Sequence, residues 1–262
     1  MTAEHHYGTV SHWMRLAGST ALACLSASGL MAQSAESGNL VQNGGFEQLS
    51  KEPNTFDQLS RAEGWDDVTI GFSDLFSKTA SVKTVGIPDN FYGHIEPQEG
   101  AHYAGFFAWK DDKRFDFDGD PEDPFRPGWN AYSEYPWTTL TAPLKEGHTY
   151  EVSFHVALAG NSDRAVAGIG AYFSTVELKY QNRMFLKERA QVVEVKILEE
   201  RDKWVEVKGT FKADGGERFL ILGTFPTALF ETKRIIEGPD NQFAYYYLDH
   251  IVVNEVEQEE MK

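Results

Sequence analysis

Residues 243–254, Phe-Ala-Tyr-Tyr-Tyr-Leu-Asp-His-Ile-Val-Val-Asn, constrain the fold more than any other stretch of the chain. They are β-branched and aromatic, with neither Gly nor Pro, which predicts a strand. Successive side chains of a strand point to opposite faces. Phe243, Tyr245, Tyr247, Asp249, Ile251 and Val253 would share one face, and Ala244, Tyr246, Leu248, His250 and Val252 the other. Both faces are largely apolar, so the strand is expected at the centre of a sheet, covered on both sides. Asp249 is the anomaly, because a carboxylate among apolar neighbours needs a partner. A salt bridge, a turn contact or a cation would each supply one.

The preceding sequence repeats the pattern. Residues 148–158 alternate, with Tyr150, Val152, Phe154, Val156 and Leu158 on one side. Further strands are expected within 65–70, 81–87, 100–109, 168–174, 192–198, 203–211 and 218–225. Residues 213–216, Ala-Asp-Gly-Gly, read as a hairpin turn. Only 178–190 offers a short helix. About ten strands separated by turn residues, without internal repeat, predict an all-β chain folded as an antiparallel β-sandwich of the jelly-roll kind. Asp111, Asp112, Asp116, Asp118, Asp120, Glu122, Asp123 and three prolines make residues 110–128 one long acidic loop insertion.

The 262 residues carry a formal charge of -16. That excess disfavours nucleic acid and anionic membranes as partners. Near the N-terminus, Met14 and Arg15 precede an apolar run of small residues ending at Ala32, the pattern of an export signal. Residues 1–32 are therefore assigned to a signal peptide, with Met14 as an alternative start, and 33–262 to one domain. The run is too short and too rich in Ser, Gly and Ala for a membrane span, so the protein is not expected to be integral to the membrane. The single cysteine, Cys24, lies inside this run, where it faintly resembles a lipid attachment site.

Trp109, Phe125, Trp129, Tyr132, Tyr135 and Trp137 cluster around the acidic loop. Aromatic faces stack on the CH surfaces of sugars while carboxylates bond hydroxyl groups. Trp109, Trp129, Tyr135 and Trp137 are therefore the candidate ligand-binding residues. Asp116, Asp118 and Asp120 alternate as in calcium loops, but Pro121 stands where a helix-loop-helix calcium site needs Gly. No catalytic constellation emerges: Gly-x-Ser-x-Gly is absent, and the histidines after residue 90 lack a metal-ligand spacing. A carboxylate pair of the glycosidase type remains open.

The opening motif at 39–47, Asn-Leu-Val-Gln-Asn-Gly-Gly-Phe-Glu, resembles the start of jelly-roll carbohydrate-binding modules, and 247–253 resembles their closing strand. The pieces at 87–93, 100–105, 143–150, 168–174 and 213–217 resemble the domain that precedes outer-membrane-protein-A-like domains in gliding-type Gram-negative bacteria. The sequence ends at Lys262, so the peptidoglycan-binding domain of those proteins is not expected, and the acidic loop departs from them. The resemblance implies a non-catalytic module of the cell envelope that binds a glycan or an envelope protein. It also implies a structural calcium ion held by Glu47, a backbone carbonyl near Tyr103, and Asp249, with His250 where relatives often carry a second Asp. The alternatives are an assembly subunit of an outer-envelope secretion or motility complex, and a polysaccharide hydrolase. Export predicts a native protein that starts near Gln33, in the periplasm, at the outer membrane or at the cell surface. Mass spectrometry of the native chain checks this, and an intact Met1 or Met14 contradicts it.

Overall fold

Phe243–Glu255 forms the longest strand and occupies the middle of a five-stranded sheet. The structure, a computed structural model, describes residues 38–111, 132–226, 232–236 and 243–256. These lie in one compact unit, Glu36–Lys262. The strands are β1 (Trp65–Asp67), β2 (Asp74–Ser77), β3 (Asp89–Asn90), β4 (Gly93–His94), β5 (His102–Lys110), β6 (Pro136–Thr139) and β7 (Thr149–Leu158). They continue with β8 (Arg164–Val166), β9 (Ile169–Ser174), β10 (Val192–Val193), β11 (Val205–Lys212), β12 (Phe219–Thr224), β13 (Thr232–Arg234) and β14 (Phe243–Glu255). The first sheet has the order β1-β6-β12-β9-β10 and the second β11-β7-β14-β5-β2. From β5 onward most connections carry the chain from one sheet to the other. All strand pairs within these sheets are antiparallel. The protein is a jelly-roll β-sandwich.

The core lies between the sheets. Tyr150, Val152, Phe154, Val156 and Leu158 of β7 meet Leu220 and Leu222 of β12 and Ala171 and Phe173 of β9 there. The alternation read from residues 148–158 is thus the real one. In β14 it holds only as far as Leu248. Asp249 pairs with His155 and Val252 with Ser153, so β14 holds one residue more than β7 between those pairs. His250 takes the left-handed conformation, φ 52°, that this bulge demands. The bulge reverses the parity: Tyr246 and Leu248 face the core before it, Ile251 and Val253 after it. Strict period-2 reading had placed Ile251 with Tyr247, on the opposite side.

The other face of β14 carries Tyr245 and Tyr247. With Phe76, Tyr103 and Phe107 they form a second apolar layer, covered by Val85, Ile87, Tyr92 and Ile95. Each buried ring contributes on the order of 2 kcal/mol by burial, provided its hydroxyl is satisfied. All three consecutive tyrosines meet that condition. Tyr245 donates to Asp74 Oδ2 (2.6 Å), Tyr246 to the Leu198 carbonyl (2.6 Å) and Tyr247 to Asn90 Oδ1 (2.7 Å).

Several expected elements differ. Residues 81–87 are a turn rather than a strand, because the Ser81 carbonyl accepts both Thr84 N–H and Gly86 N–H and curls the chain. Residues 178–190 are not helical. Their backbone groups bond sideways instead, with Tyr180 N–H on the Val68 carbonyl and the Asn182 carbonyl accepting from Ile70. Of 192–198 only Val192 and Val193 are a strand. Residues 213–216 do not close a hairpin: β11 pairs with β7, whereas β12 pairs with β6 and β9. Gly215 and Gly216 adopt φ values of 99° and 87°, and Glu217 accepts the amides of Asp214 and Gly215, so the turn steers the chain between sheets.

At the edge of the first sheet, a Cβ on Gly170 would sit 2.3 Å from the Val192 carbonyl oxygen. That clash is with backbone and cannot be relieved by a rotamer change. Gly170→Ala is expected to cost about 1–3 kcal/mol, read as a lower melting temperature.

Candidate functional site

The sequence-selected residues separate in space. Trp109 is 8% exposed and packs into the core between the sheets. A register shift opposite Ala244 and Tyr245 sends it there, against the outward direction that simple alternation from Phe107 gives. Tyr135 is fully buried: its hydroxyl donates to the Thr224 carbonyl (2.6 Å) and accepts from Leu186 N–H (3.1 Å). Neither presents a ring to a ligand. Trp129 and the alternating Asp116, Asp118 and Asp120 lie outside the described residues. Trp137 is the member of the set that keeps a partly exposed ring, on the outer face of the first sheet.

That face has a coherent composition. Trp137 on β6 lies opposite Ile221 on β12, which lies opposite Tyr172 on β9. Cross-strand partners present their side chains on one face, so they form a row. Phe219 joins it, its ring 5.6 Å from the Trp137 ring, and the 178–190 segment borders it with Leu178, Tyr180 and Leu186. Trp137, Tyr172, Tyr180 and Phe219 are all partly exposed. The Tyr180 hydroxyl donates to Glu188 Oε1 at 2.5 Å, which orients that carboxylate. Two buried polar atoms of this face have no hydrogen-bond partner among the described residues, Trp137 Nε1 and Glu188 Oε2. One is a donor and the other an acceptor. Buried polar groups are normally satisfied, so these two stand out among the buried groups of this face. Glu188, Tyr172, Tyr180 and Phe219 were not identified from the sequence. Their signal was weak, because the 178–190 segment carries no periodicity.

A second group consists of three buried acidic residues, Asp74 of β2, Asp67 of β1 and Glu134 before β6. Asp74 accepts from the Tyr245 hydroxyl and from Asp57 N–H (2.7 Å). Glu134 accepts from the Tyr132 hydroxyl and from Phe107 N–H (2.8 Å). Asp67 accepts from the Ser73 hydroxyl (2.6 Å) and the Ser73 amide. All three are buried. Burial pushes the Asp67 and Asp74 carboxyl groups up to about 7, and it raises Glu134 well above the usual carboxylate range. Each carboxyl group is engaged by the protein's own donors.

Glu47 and Asp249, from opposite ends of the chain, grip one turn. Glu47 Oε1 accepts from Ala101 N–H (2.6 Å) and His102 N–H (2.9 Å), and Oε2 lies 2.9 Å from His102 Nδ1. Asp249 Oδ2 accepts from Gln98 N–H (2.9 Å) and Glu99 N–H (3.3 Å), and Oδ1 from His250 N–H (2.7 Å). Tyr103 lies in β5 with its hydroxyl bonded to Asn90 (3.1 Å). Calcium takes six to eight oxygens, whereas the groups facing these carboxylates are N–H donors. Among the described residues no group of three or more His, Cys, Asp and Glu side chains is gathered to hold an ion. The donor set as arranged does not fit calcium, and amide hydrogen bonds tie the chain ends in its place.

Two measurements follow. Unfolded Asp titrates near 3.9, while Asp67 and Asp74 hold their protons to about 7 in the fold. A raised native pKa gives stability that is complete below the unfolded value and lost as pH rises through the native one. Asp249, buried likewise, is raised to about 8, so melting temperature is expected to fall between about pH 4 and pH 8, and Asp74→Asn to make that fall shallower. Melting with calcium and with a chelator tests the amide-bonded arrangement. Unchanged melting is expected, and a calcium-dependent rise would restore the metal reading.

No protein-family model matches the chain, and no curated protein matches it. Solved structures share a distant likeness. The CBM22-1 xylan-binding domain of Paenibacillus barcinonensis Xyn10C is 14% identical, with 82% of this chain and 94% of that chain covered and a TM-score of 0.42. The CBM22-1–GH10 modules of Clostridium thermocellum Xyn10B, complexed with xylohexaose, are 11% identical over 86% of this chain and 30% of that chain, with a TM-score of 0.40. The K1 cleaved adhesin domain of Lys-gingipain from Porphyromonas gingivalis is 10% identical over 73% and 90%, with a TM-score of 0.34. At such identities and TM-scores the likeness carries no argument about this chain's ligand.

Proposed function

We propose that the chain is an exported, non-catalytic glycan-binding module of the cell envelope, with its ligand along the outer face of the first sheet. One observation carries this reading: the partly exposed rings of Trp137, Tyr172, Tyr180 and Phe219 gather on one sheet face around Ile221. Rings stack on the CH faces of pyranose units, and polar groups at the rim of such a face fix the ligand's orientation. With a formal charge of -16 the protein repels acidic polysaccharides, so neutral glycans are the ligand class. The non-catalytic part of the reading rests on the buried Asp67, Asp74 and Glu134. Their oxygens are engaged by Ser73, Asp57, Tyr245, Tyr132 and Phe107 rather than offered to a substrate.

A glycan array followed by titration tests the proposal. Trp137→Ala is expected to weaken binding of a retained neutral glycan by about 2 kcal/mol or more, roughly 30-fold, measured at a temperature where the variant is folded. Glu188→Gln is expected to weaken it less. No retained glycan, or full affinity in Trp137→Ala, overturns the reading.

A further inference from the structure

β11 closes one side of the second sheet and, among the described residues, pairs with β7 alone. In an antiparallel ladder the backbone groups of alternate residues point to opposite sides. Contacts at both ends of β11 fix which ones point where. Leu158 N–H donates to the Glu200 carbonyl (3.3 Å), so the backbone of Leu158 faces the β11 side, and with it those of Val156, Phe154, Val152 and Tyr150. Just past the other end, Ala213 N–H donates to the His148 carbonyl (2.9 Å). Val205, Val207, Gly209 and Phe211 therefore bond to β7, and the N–H and C=O groups of Glu206, Lys208, Thr210 and Lys212 point out of the sheet edge.

The side chains around this edge leave room for a partner. Val205 and Phe211, on the core face, are only partly buried, and the four outward residues are exposed. β10, the edge of the first sheet, lies over β11, since a Cβ on Gly209 would sit 2.7 Å from Val192 Cγ1. The chain leaving β10 follows that edge, with Glu194 N–H on the Ile169 carbonyl and Leu198 N–H on the Val166 carbonyl, and it exposes Val195 (70%) and Ile197 (38%). A free strand edge with apolar side chains beside it is a template for strand addition. Charge argues for what is added. The chain carries -16, yet β11 sets Lys208 and Lys212 against Glu206, so two copies meet here without that excess.

A two-fold axis makes the pairing of β11 with its own copy antiparallel and closed. Outward groups must meet outward groups, so the axis passes through a residue rather than between two. An axis through Glu206 or Lys208 sets like charges directly opposite, and one through Thr210 sets Lys208 opposite Lys212. Such pairs are destabilising. An axis through Val207, or nearer either end, aligns a shorter stretch of the strand. An axis through Gly209 aligns all of 206–212, with Glu206 opposite Lys212 of the partner subunit, Val207 opposite Phe211 of the partner subunit and Lys208 opposite Thr210 of the partner subunit. We propose that the chain forms a homodimer in this register, β11 on β11, which joins two five-stranded sheets into one. Lys208 keeps its ion pair with Glu151 (2.7 Å). The glycan face lies on the outer side of the first sheet, so the pairing leaves it open.

The test is sedimentation equilibrium of the full chain up to about 1 mM, a concentration that detects even weak association. A monomer–dimer equilibrium is expected. Glu206→Lys and Lys212→Glu each set like charges opposite and are expected to weaken the dimer at least tenfold. Mixing the two variants restores opposite charges at both pairs, so the mixture is expected to dimerise where neither variant alone does. Amide hydrogen exchange of the unmodified chain gives a readout that needs no variant: Glu206, Lys208, Thr210 and Lys212 are expected to slow as concentration rises. A monomer at every concentration, a dimer that ignores both charge reversals, or a mixture that stays monomeric overturns the proposal.

Discussion

From Ala244 to Asp249, β14 is buried on both faces, and the rest of the molecule follows from that. One face closes the core between the sheets, and the other needs a separate cover. That cover comes from Val85, Ile87, Tyr92 and Ile95, with Tyr92 stacked on Tyr245 at 3.7 Å between ring centroids. Burying three consecutive tyrosines requires three acceptors, and these come from distant segments: Asp74, the Leu198 carbonyl and Asn90. An unmet hydroxyl in that layer would cost roughly 1–3 kcal/mol, so the satisfied network holds these segments in place as firmly as ring packing does.

The bulge at His250 sets the course of the second half of β14. It switches which face the later residues of β14 take, putting Ile251 and Val253 into the core. It also turns Asp249 toward the amides of residues 98 and 99 and sets His250 beside His155. Glu47 binds the next amides of the same turn, 101 and 102. Further along, Asn39 Oδ1 accepts from Val253 N–H (3.0 Å) and Leu40 N–H donates to the Val253 carbonyl (2.8 Å). The two ends of the described domain are thus joined by hydrogen bonds through one turn and one strand. A carboxylate surrounded by amide donors in a buried setting supplies the same tie as a cation bridge, with the opposite demand on its neighbours: donors in place of oxygens.

The two outer faces differ in kind. On the second sheet the aromatic layer is closed, and the carboxyl groups of Asp74 and Glu134 are bonded to Tyr245, Tyr132 and backbone amides. On the first sheet the row of Trp137, Ile221 and Tyr172 is only bordered by residues 178–190, and its rings stay partly exposed. Closed rings stabilise the fold. Rings left partly open are the ones on which the glycan-binding proposal rests. The same aromatic composition supplies both sets, so composition alone could not say which rings were which.

The sequence by itself determined the fold class, because period-2 alternation in 148–158 and the doubly apolar 243–254 stretch leave few alternatives to a central pair of strands in a sandwich. It also singled out Asp249 as a carboxylate needing a partner. Only the tertiary structure decided what those partners are. A register shift buried Trp109 and one inserted residue paired His155 with His250. The 213–216 turn joined two sheets rather than two neighbouring strands. Each of these depends on which strands lie side by side and in what register. Local sequence does not encode that, because a one-residue shift exchanges the faces without altering any propensity.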